Sequence, residues 1–208
     1  MRFLRSAKRG AELALHLALG AVVLSALRKA PSAWSHRGRR MEEAVLPWWY
    51  ARACRILRLR VRRFGSPTVL PALYAANHVS WLEVLALGSV ASLGFVAKSE
   101  VAAWPMIGSL AESAGALFLR RGSARAAARA VDQAVARLAG GDSICVFPEG
   151  TSTAGSEVLP FKASLFEAAA ALGCEVQPVA VFYPVGEGRA AVAPFIGDDE
   201  FLSHLLRV

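Results

Sequence analysis

Between residues 67 and 184 the chain alternates short apolar runs with longer helix-like runs, and this alternation restricts its fold more than any other feature. Residues 69–77, 93–98, 115–121, 143–150 and 176–184 read as strands. Residues 81–90, 99–115 (broken near Pro105), 123–141 and 161–173 read as helices. The 123–141 run is the clearest: Ser123 can cap its start, its middle is alanine-rich, and Gly140 and Gly141 end it. Strands alternating with helices of this length imply βαβ units and an α/β fold, a largely parallel sheet with helices on both faces. In such sheets ligands bind beyond the carboxyl ends of the strands, so polar residues there are the ones to examine.

Charge divides the chain in two. Its 24 Lys and Arg against 16 Asp and Glu give a formal +8. Residues 1–63 carry a net +12, whereas residues 64–208 carry −4. A uniformly basic nucleic-acid binder would not divide this way, and no nucleic-acid motif accompanies the charge. With 55% apolar residues the chain can offset its ordering entropy by burial, which excludes disorder as its main state. The division sets residues 1–65, a basic, apolar and aromatic appendage, apart from a domain over 66–208.

Within the appendage, residues 11–27 form an apolar run with basic residues at both ends, interrupted by Glu12 and His16. A signal peptide fits poorly, since Arg28 and Lys29 stand where a cleavage region is uncharged. A helix dipping into one leaflet fits better than a simple crossing helix. Residues 41–65 bring Trp48, Trp49 and Tyr50, rings suited to the headgroup level, and then arginines alternating with Ile56, Leu57, Leu59 and Val61. A basic helix lying on an anionic membrane is the expectation. Cys54, Cys145 and Cys174 are scattered among apolar neighbours with no Cys/His cluster, so buried thiols are expected and a metal site is not.

Three strand ends carry chemistry. Asn77-His78-Val79-Ser80-Trp81-Leu82-Glu83 places an imidazole at a strand-to-helix junction with a carboxylate five residues on. Imidazole is the side chain suited to taking a proton near neutral pH, and a carboxylate can hold its other ring nitrogen. Ser80 to Glu83 is equally a capping box, S-x-x-E, so Glu83 is weighed evenly as helix cap and as partner of His78. Arg120 and Arg121 follow a buried strand, where a guanidinium can grip a phosphate or carboxylate. Phe147-Pro148-Glu149-Gly150-Thr151 ends a strand in a turn whose N–H groups can face a ligand or an oxyanion. A G-x-S-x-G elbow is absent, which ranks a serine hydrolase low.

Taken in order, N-H-x-S-W-L-E, F-V-A-K-S-E with W-P-M-I-G, G-x-L-F-L-x-R, F-P-E-G-T and V-Q-P-V-A resemble the glycerolipid acyltransferase family, in particular 1-acylglycerol-3-phosphate acyltransferases. The resemblance covers about residues 70–184. It implies that His78 is the general base for a lysolipid hydroxyl and that Glu83 stands where the family has aspartate. It further implies that Arg121 and Lys98 help hold the acceptor, and that Glu149, Gly150 and Thr151 lie in the block shaping its site. Pro178 matches the late V-P block. The co-substrate would be an acyl thioester on coenzyme A or acyl carrier protein, with no metal or other cofactor. The enzyme would work on membrane lipids at the cytoplasmic face. The acceptor expected first is 1-acylglycerol-3-phosphate, giving phosphatidic acid. Three departures bear on this: Glu83 for aspartate, Arg120 for an acid, and Ser152 for an arginine after F-P-E-G-T. The stretch from Phe147 to Phe166 is closer to members resembling lyso-ornithine-lipid acyltransferases. A catalytically silent, membrane-tethered lipid binder is the alternative outside enzymology. Family members usually continue past D-D-E-F-L-S-H-L-L-R-V, so the domain is expected to lack a last strand, and His204 there has no evident partner.

Overall fold

The computed structural model describes residues 2–29, 35–36, 39–69, 71–120, 124–184, 192–197 and 199–208. Helix α1 (Arg2–Lys29) leads through a two-residue ribbon, β1 (Ser35–His36) and β2 (Arg39–Arg40), into α2 (Met41–Ile56). The alternating part follows: β3 (Ala72–Ala76), α3 (Leu82–Gly88), β4 (Gly94–Lys98), α4 (Ile107–Ser113), β5 (Leu117–Leu119), α5 (Ala124–Ala139), β6 (Ile144–Val146), α6 (Phe166–Leu172), β7 (Glu175–Val179) and α7 (Phe201–Arg207). Short 3-10 turns at Ser99–Ala103 and Ala163–Leu165 precede α4 and α6. The break near Pro105 is therefore real, separating the 3-10 turn from α4.

The five strands β5-β4-β6-β3-β7 pair in parallel throughout. All residues of β3 and β6 are buried, as a sheet covered on both faces requires. Alternation along the strands divides the core in two. Ala72, Tyr74, Ala76, Phe95 and Cys145 pack towards α1, α2 and α4 through Leu24, Leu46, Trp49, Tyr50 and Leu110. Leu73, Ala75, Ile144 and Val146 face the other way, onto Ala134 and Leu138 of α5 and Ala168 and Ala169 of α6. Pro178 sits in β7, at the sheet edge, where its missing N–H costs the least.

The N-terminal helices lie along the sheet domain. Leu13, His16, Gly20 and Leu24 form the buried stripe of α1, a helical i, i+3 and i+4 spacing. Gly20 is a close approach, since a Cβ there would stand 2.4 Å from Trp49 Nε1. Gly88 of α3 does the same for the Tyr50 ring, also at 2.4 Å. His16 stacks on Trp49 with centroids 4.7 Å apart and donates from Nε2 to the Trp49 carbonyl at 3.1 Å. Farther along, Ser25 Oγ meets Ser113 Oγ of α4 at 2.9 Å.

These contacts correct the reading of the aromatic triplet. Consecutive helical residues turn by about 100°, so the three rings cannot share one face. Trp48 alone is exposed, while Trp49 and Tyr50 are core residues. The arginine-rich run is corrected too: α2 stops at Ile56, Arg58 takes φ +60°, and residues 59–64 are irregular. Beside its buried stripe α1 exposes Leu15, Leu19, Val22 and Val23. The stretch Lys8–Leu27 is, among the described residues, long and apolar enough to cross a membrane.

Candidate active site

The carboxyl ends of β3, β6 and β7 converge, and they carry the residues singled out above. Beyond β3 the chain turns sharply through Asn77-His78-Val79-Ser80 into α3. Asn77 locks to the end of β7 with two bonds: its Nδ2 donates to the Val181 carbonyl at 3.0 Å, and Val181 N–H donates to its Oδ1 at 2.6 Å. Every backbone polar group of His78 and Val79 is then held. His78 N–H donates to Glu149 Oε1 at 2.6 Å, and the His78 carbonyl accepts Thr153 N–H at 2.9 Å. Val79 N–H reaches the Glu83 carboxylate at 3.1 Å, and its carbonyl accepts Phe195 N–H at 2.9 Å.

Glu83 is wholly buried and surrounded by donors. Its Oε2 stands 2.7 Å from His78 Nδ1, and its Oε1 accepts Ser80 N–H at 2.7 Å and the Tyr183 hydroxyl at 3.1 Å. The two readings of Glu83 thus hold together: one carboxylate caps the turn and holds the imidazole. Only half of the capping box forms, because Ser80 Oγ is buried with no partner among the described residues. A buried carboxylate with this many donors is compensated for its lost hydration. An ionised carboxylate only accepts, so Nδ1 carries the proton and Nε2 presents a lone pair.

The His78 ring stacks on Phe147 at 4.1 Å with 20° between planes, and its side chain keeps 23% of its surface exposed. Among the described residues nothing bonds Nε2. The ring is therefore fixed on one edge and one face, and open at the atom that can take a proton.

The other expected residues fall in different places. Glu149 is 3% exposed, and its second oxygen accepts Leu159 N–H at 2.8 Å, so both oxygens clamp backbone beneath the site. Gly150 takes φ +73° and directs its N–H to the Phe147 carbonyl at 3.0 Å. Thr151 is exposed on the same turn, and Lys98 is exposed at the end of β4. Ser152 turns inward to donate to the Phe195 carbonyl. Arg121 lies outside the described residues, as does Ser123; Arg120 beside them is exposed.

Sequence reasoning missed Tyr183, Phe147 as the stacking partner, and Lys162. The last lies over the F-P-E-G turn: a Cβ on Gly150 would stand 2.7 Å from Lys162 Nζ. Tyr183 is 100 residues from Glu83 in sequence, and no local pattern joins them. His204 has partners after all. Its Nδ1 accepts the Trp81 indole N–H at 3.0 Å and its Nε2 donates to the Pro194 carbonyl at 3.0 Å, tying α7 to the turn before α3 and to the segment at Pro194. No group of three His, Cys, Asp or Glu that could hold a metal occurs among the described residues.

Comparison with known proteins agrees with this architecture. The Acyltransferase family matches residues 60–182. A lyso-ornithine lipid O-acyltransferase of Pseudomonas aeruginosa is 44% identical over 169 residues, covering 81% of this chain and 65% of that protein. A 1-acyl-sn-glycerol-3-phosphate acyltransferase of Neisseria gonorrhoeae is 38% identical over 137 residues, 65% of this chain and 53% of that one. The chain thus spans less than two thirds of the length of these two relatives. The crystal structure of the 1-acyl-sn-glycerophosphate acyltransferase PlsC from Thermotoga maritima superposes with a TM-score of 0.69 over 91% of this chain and 79% of that one, at 22% identity, and shares the fold. With a paired histidine and carboxylate at the mouth of a parallel sheet, and a family match across most of that sheet, the chain belongs to the acyltransferase family.

Proposed function

We propose that this protein is an O-acyltransferase that moves a fatty acyl group from a thioester to the free hydroxyl of a lysolipid. The observation that carries the reading is His78, held by Glu83 at 2.7 Å through Nδ1 while Nε2 opens to solvent. In the reaction Nε2 removes the proton of the acceptor hydroxyl as its oxygen attacks the thioester carbonyl. The tetrahedral intermediate collapses, the carbon–sulfur bond breaks, and the imidazolium returns its proton to the departing sulfur. An ester and a free thiol result, and His78 is neutral again. Glu83 stabilises the imidazolium formed between the two steps, as the acid of a catalytic triad does. The donor is a coenzyme A or acyl carrier protein thioester, and no metal takes part.

Glycerol-phosphate and ornithine headgroups are the two candidate acceptors. Lys98 and Arg120 at the carboxyl ends of β4 and β5, with Lys162 over the F-P-E-G turn, suit an anionic headgroup, and 1-acylglycerol-3-phosphate is the acceptor the motif blocks resemble most. Ser152 favours lyso-ornithine lipid: where the resembled motif has an arginine, a short side chain turns away to the Phe195 carbonyl. The name of the Pseudomonas relative points the same way.

The protein works at a membrane surface, on the cytoplasmic face. Leu13 of α1 and Ile56 of α2 pack against Leu82 at the start of α3, so the hairpin's basic end lies at the catalytic end of the sheet. There Lys8, Arg9, Arg52, Arg55 and Arg58, with Glu12, line a cavity of about 410 Å³. Cations next to the exposed apolar face of α1 suit an anionic bilayer. One experiment tests the whole reading: purified protein receives 1-acylglycerol-3-phosphate and lyso-ornithine lipid with labelled acyl-CoA or acyl carrier protein, alongside His78→Ala. Transfer to either acceptor, abolished by His78→Ala, supports it. Transfer surviving His78→Ala overturns the base, and no transfer to any lysolipid leaves the silent lipid binder.

A further inference from the structure

The carboxylate that holds His78 has one side-chain donor from outside its own loop among the described residues, and that donor is Tyr183. Val79 N–H and Ser80 N–H belong to the turn itself, and His78 is the group being held. Tyr183 reaches Glu83 Oε1 at 3.1 Å from the segment beyond β7. Its position is fixed on both sides. Two residues upstream, Val181 is locked to Asn77, and the Tyr183 ring packs in the cluster of Leu13, Ile56, Leu57 and Leu82.

We propose that Tyr183 is a positioning residue for acyl transfer, sharing the charge of Glu83 and so setting how strongly that carboxylate holds the protonated His78 ring. The proposal rests on His78 being the base. A hydroxyl bonded to one carboxylate oxygen draws negative charge away from the other, and weakens the hold on an imidazolium. The base then gives up its proton more readily to the departing sulfur. This also accounts for a glutamate at position 83. Its extra methylene carries the carboxylate far enough to bond Ser80 N–H and the Tyr183 hydroxyl while still meeting Nδ1.

The groups facing this cluster leave the donor role intact. Burial first, then the neighbouring Glu83 charge, pushes the Tyr183 phenol well above its ordinary range, so it stays protonated. Cys54 of α2 faces Tyr183, and burial lifts its thiol to about 11. Cys145 of β6 faces Glu83, and burial raises its thiol further. Both thiols are neutral near pH 7. Among the described residues the other titratable neighbours are His78 itself and Glu149, which holds the His78 N–H.

The pH profile of kcat/KM for Tyr183→Phe tests the proposal. Without the hydroxyl the acid limb moves to higher pH by about one unit, the size expected for one hydrogen bond to a charged group. Rates below that limb fall about tenfold, as a one-unit shift requires. KM for the acceptor stays unchanged, and in the Glu83→Gln background the same substitution moves nothing. A profile identical to wild type, with or without a lower Tm, overturns the proposal and leaves Tyr183 a packing residue. Should Tyr183→Phe fail to fold, 3-fluorotyrosine at 183 keeps the ring and strengthens the donor. The limb then moves to lower pH, and an unmoved limb again overturns the proposal. The two readings fail separately, since activity surviving His78→Ala removes the base, whereas an inactive His78→Ala beside an unmoved Tyr183→Phe profile removes only the tyrosine.

Discussion

Two connections leave the carboxyl end of the sheet, and they are built in opposite ways. The β3–α3 turn (residues 77–81) has its backbone groups bound by Glu83, Glu149, Thr153 and Phe195, and its side chains lie largely inside. The β4–α4 connection (residues 99–106) has no buried residue in its 3-10 turn, and Trp104 and Met106 are exposed. Met106 is held at φ +61°, where Ile107 N–H bonds the Pro105 carbonyl at 2.7 Å, a γ-turn of the rare, strained hand. The first connection is overdetermined, as a group that must be held for chemistry requires. The second presents apolar surface on a backbone bonded locally, within its own turn and to the first turn of α4. Bonds from distant parts of the chain converge on the first loop.

The largest contrast comes from removing the two halves of the pair. His78→Ala is expected to lower acyl transfer by about 10²- to 10⁴-fold, the usual contribution of a general base, with a smaller fall in Tm than Glu83→Ala because Glu83 keeps Val79 N–H, Ser80 N–H and the Tyr183 hydroxyl. Circular dichroism should show a folded, inactive protein. Glu83→Ala should lose activity and stability together. Breaking a buried charged cluster costs about 3–5 kcal/mol, read as a lower denaturant midpoint. A stable, inactive Glu83→Ala would show that the carboxylate serves catalysis alone.

A smaller effect is expected in the exposed connection. Met106→Gly should relieve a positive-φ position and raise stability by about 1 kcal/mol in urea titration, with acyl transfer within about threefold of wild type. A large loss of activity would show that the strained loop is held for function as the first one is. Gly108→Ala acts in reverse, because its Cβ would stand 2.1 Å from the Ala102 carbonyl oxygen. The smallest effect is alkaline. Cys54 ionises near 9.0 when unfolded and near 11 when folded, because burial disfavours the thiolate. Its contribution to stability is full below pH 9 and is lost as the pH rises towards 11. The urea midpoint should fall over that window, and less so in Cys54→Ala. Below pH 9, Cys54 and Cys145 should resist alkylation in folded protein, whereas half-exposed Cys174 reacts.

Much of this was legible in the sequence where the signal was local. Strand and helix order followed from periodicity, and the His78–Glu83 pair from five-residue spacing across a turn. What stayed hidden depends on contacts between distant residues. Glu149 looked like a residue facing substrate, and only the approach of Leu159 and His78 shows that both its oxygens clamp backbone. Trp49 and Tyr50 looked like membrane rings because the glycines receiving them, Gly20 and Gly88, lie on other helices. Tyr183 carries no motif, since a lone tyrosine after an edge strand acquires meaning only from the carboxylate it meets.

The docking of α1 along the sheet also sets an order of events during synthesis. Ser25 bonds Ser113, 88 residues later, and Leu24 lies in a cluster that includes Leu110. At about 5–20 residues per second, several seconds pass between translation of α1 and of the segment that covers it. Through that interval the helix has two apolar stripes in want of a partner, the later-buried one and the one that stays exposed. A bilayer near the ribosome can take up either, so the first encounter with lipid can precede folding of the domain.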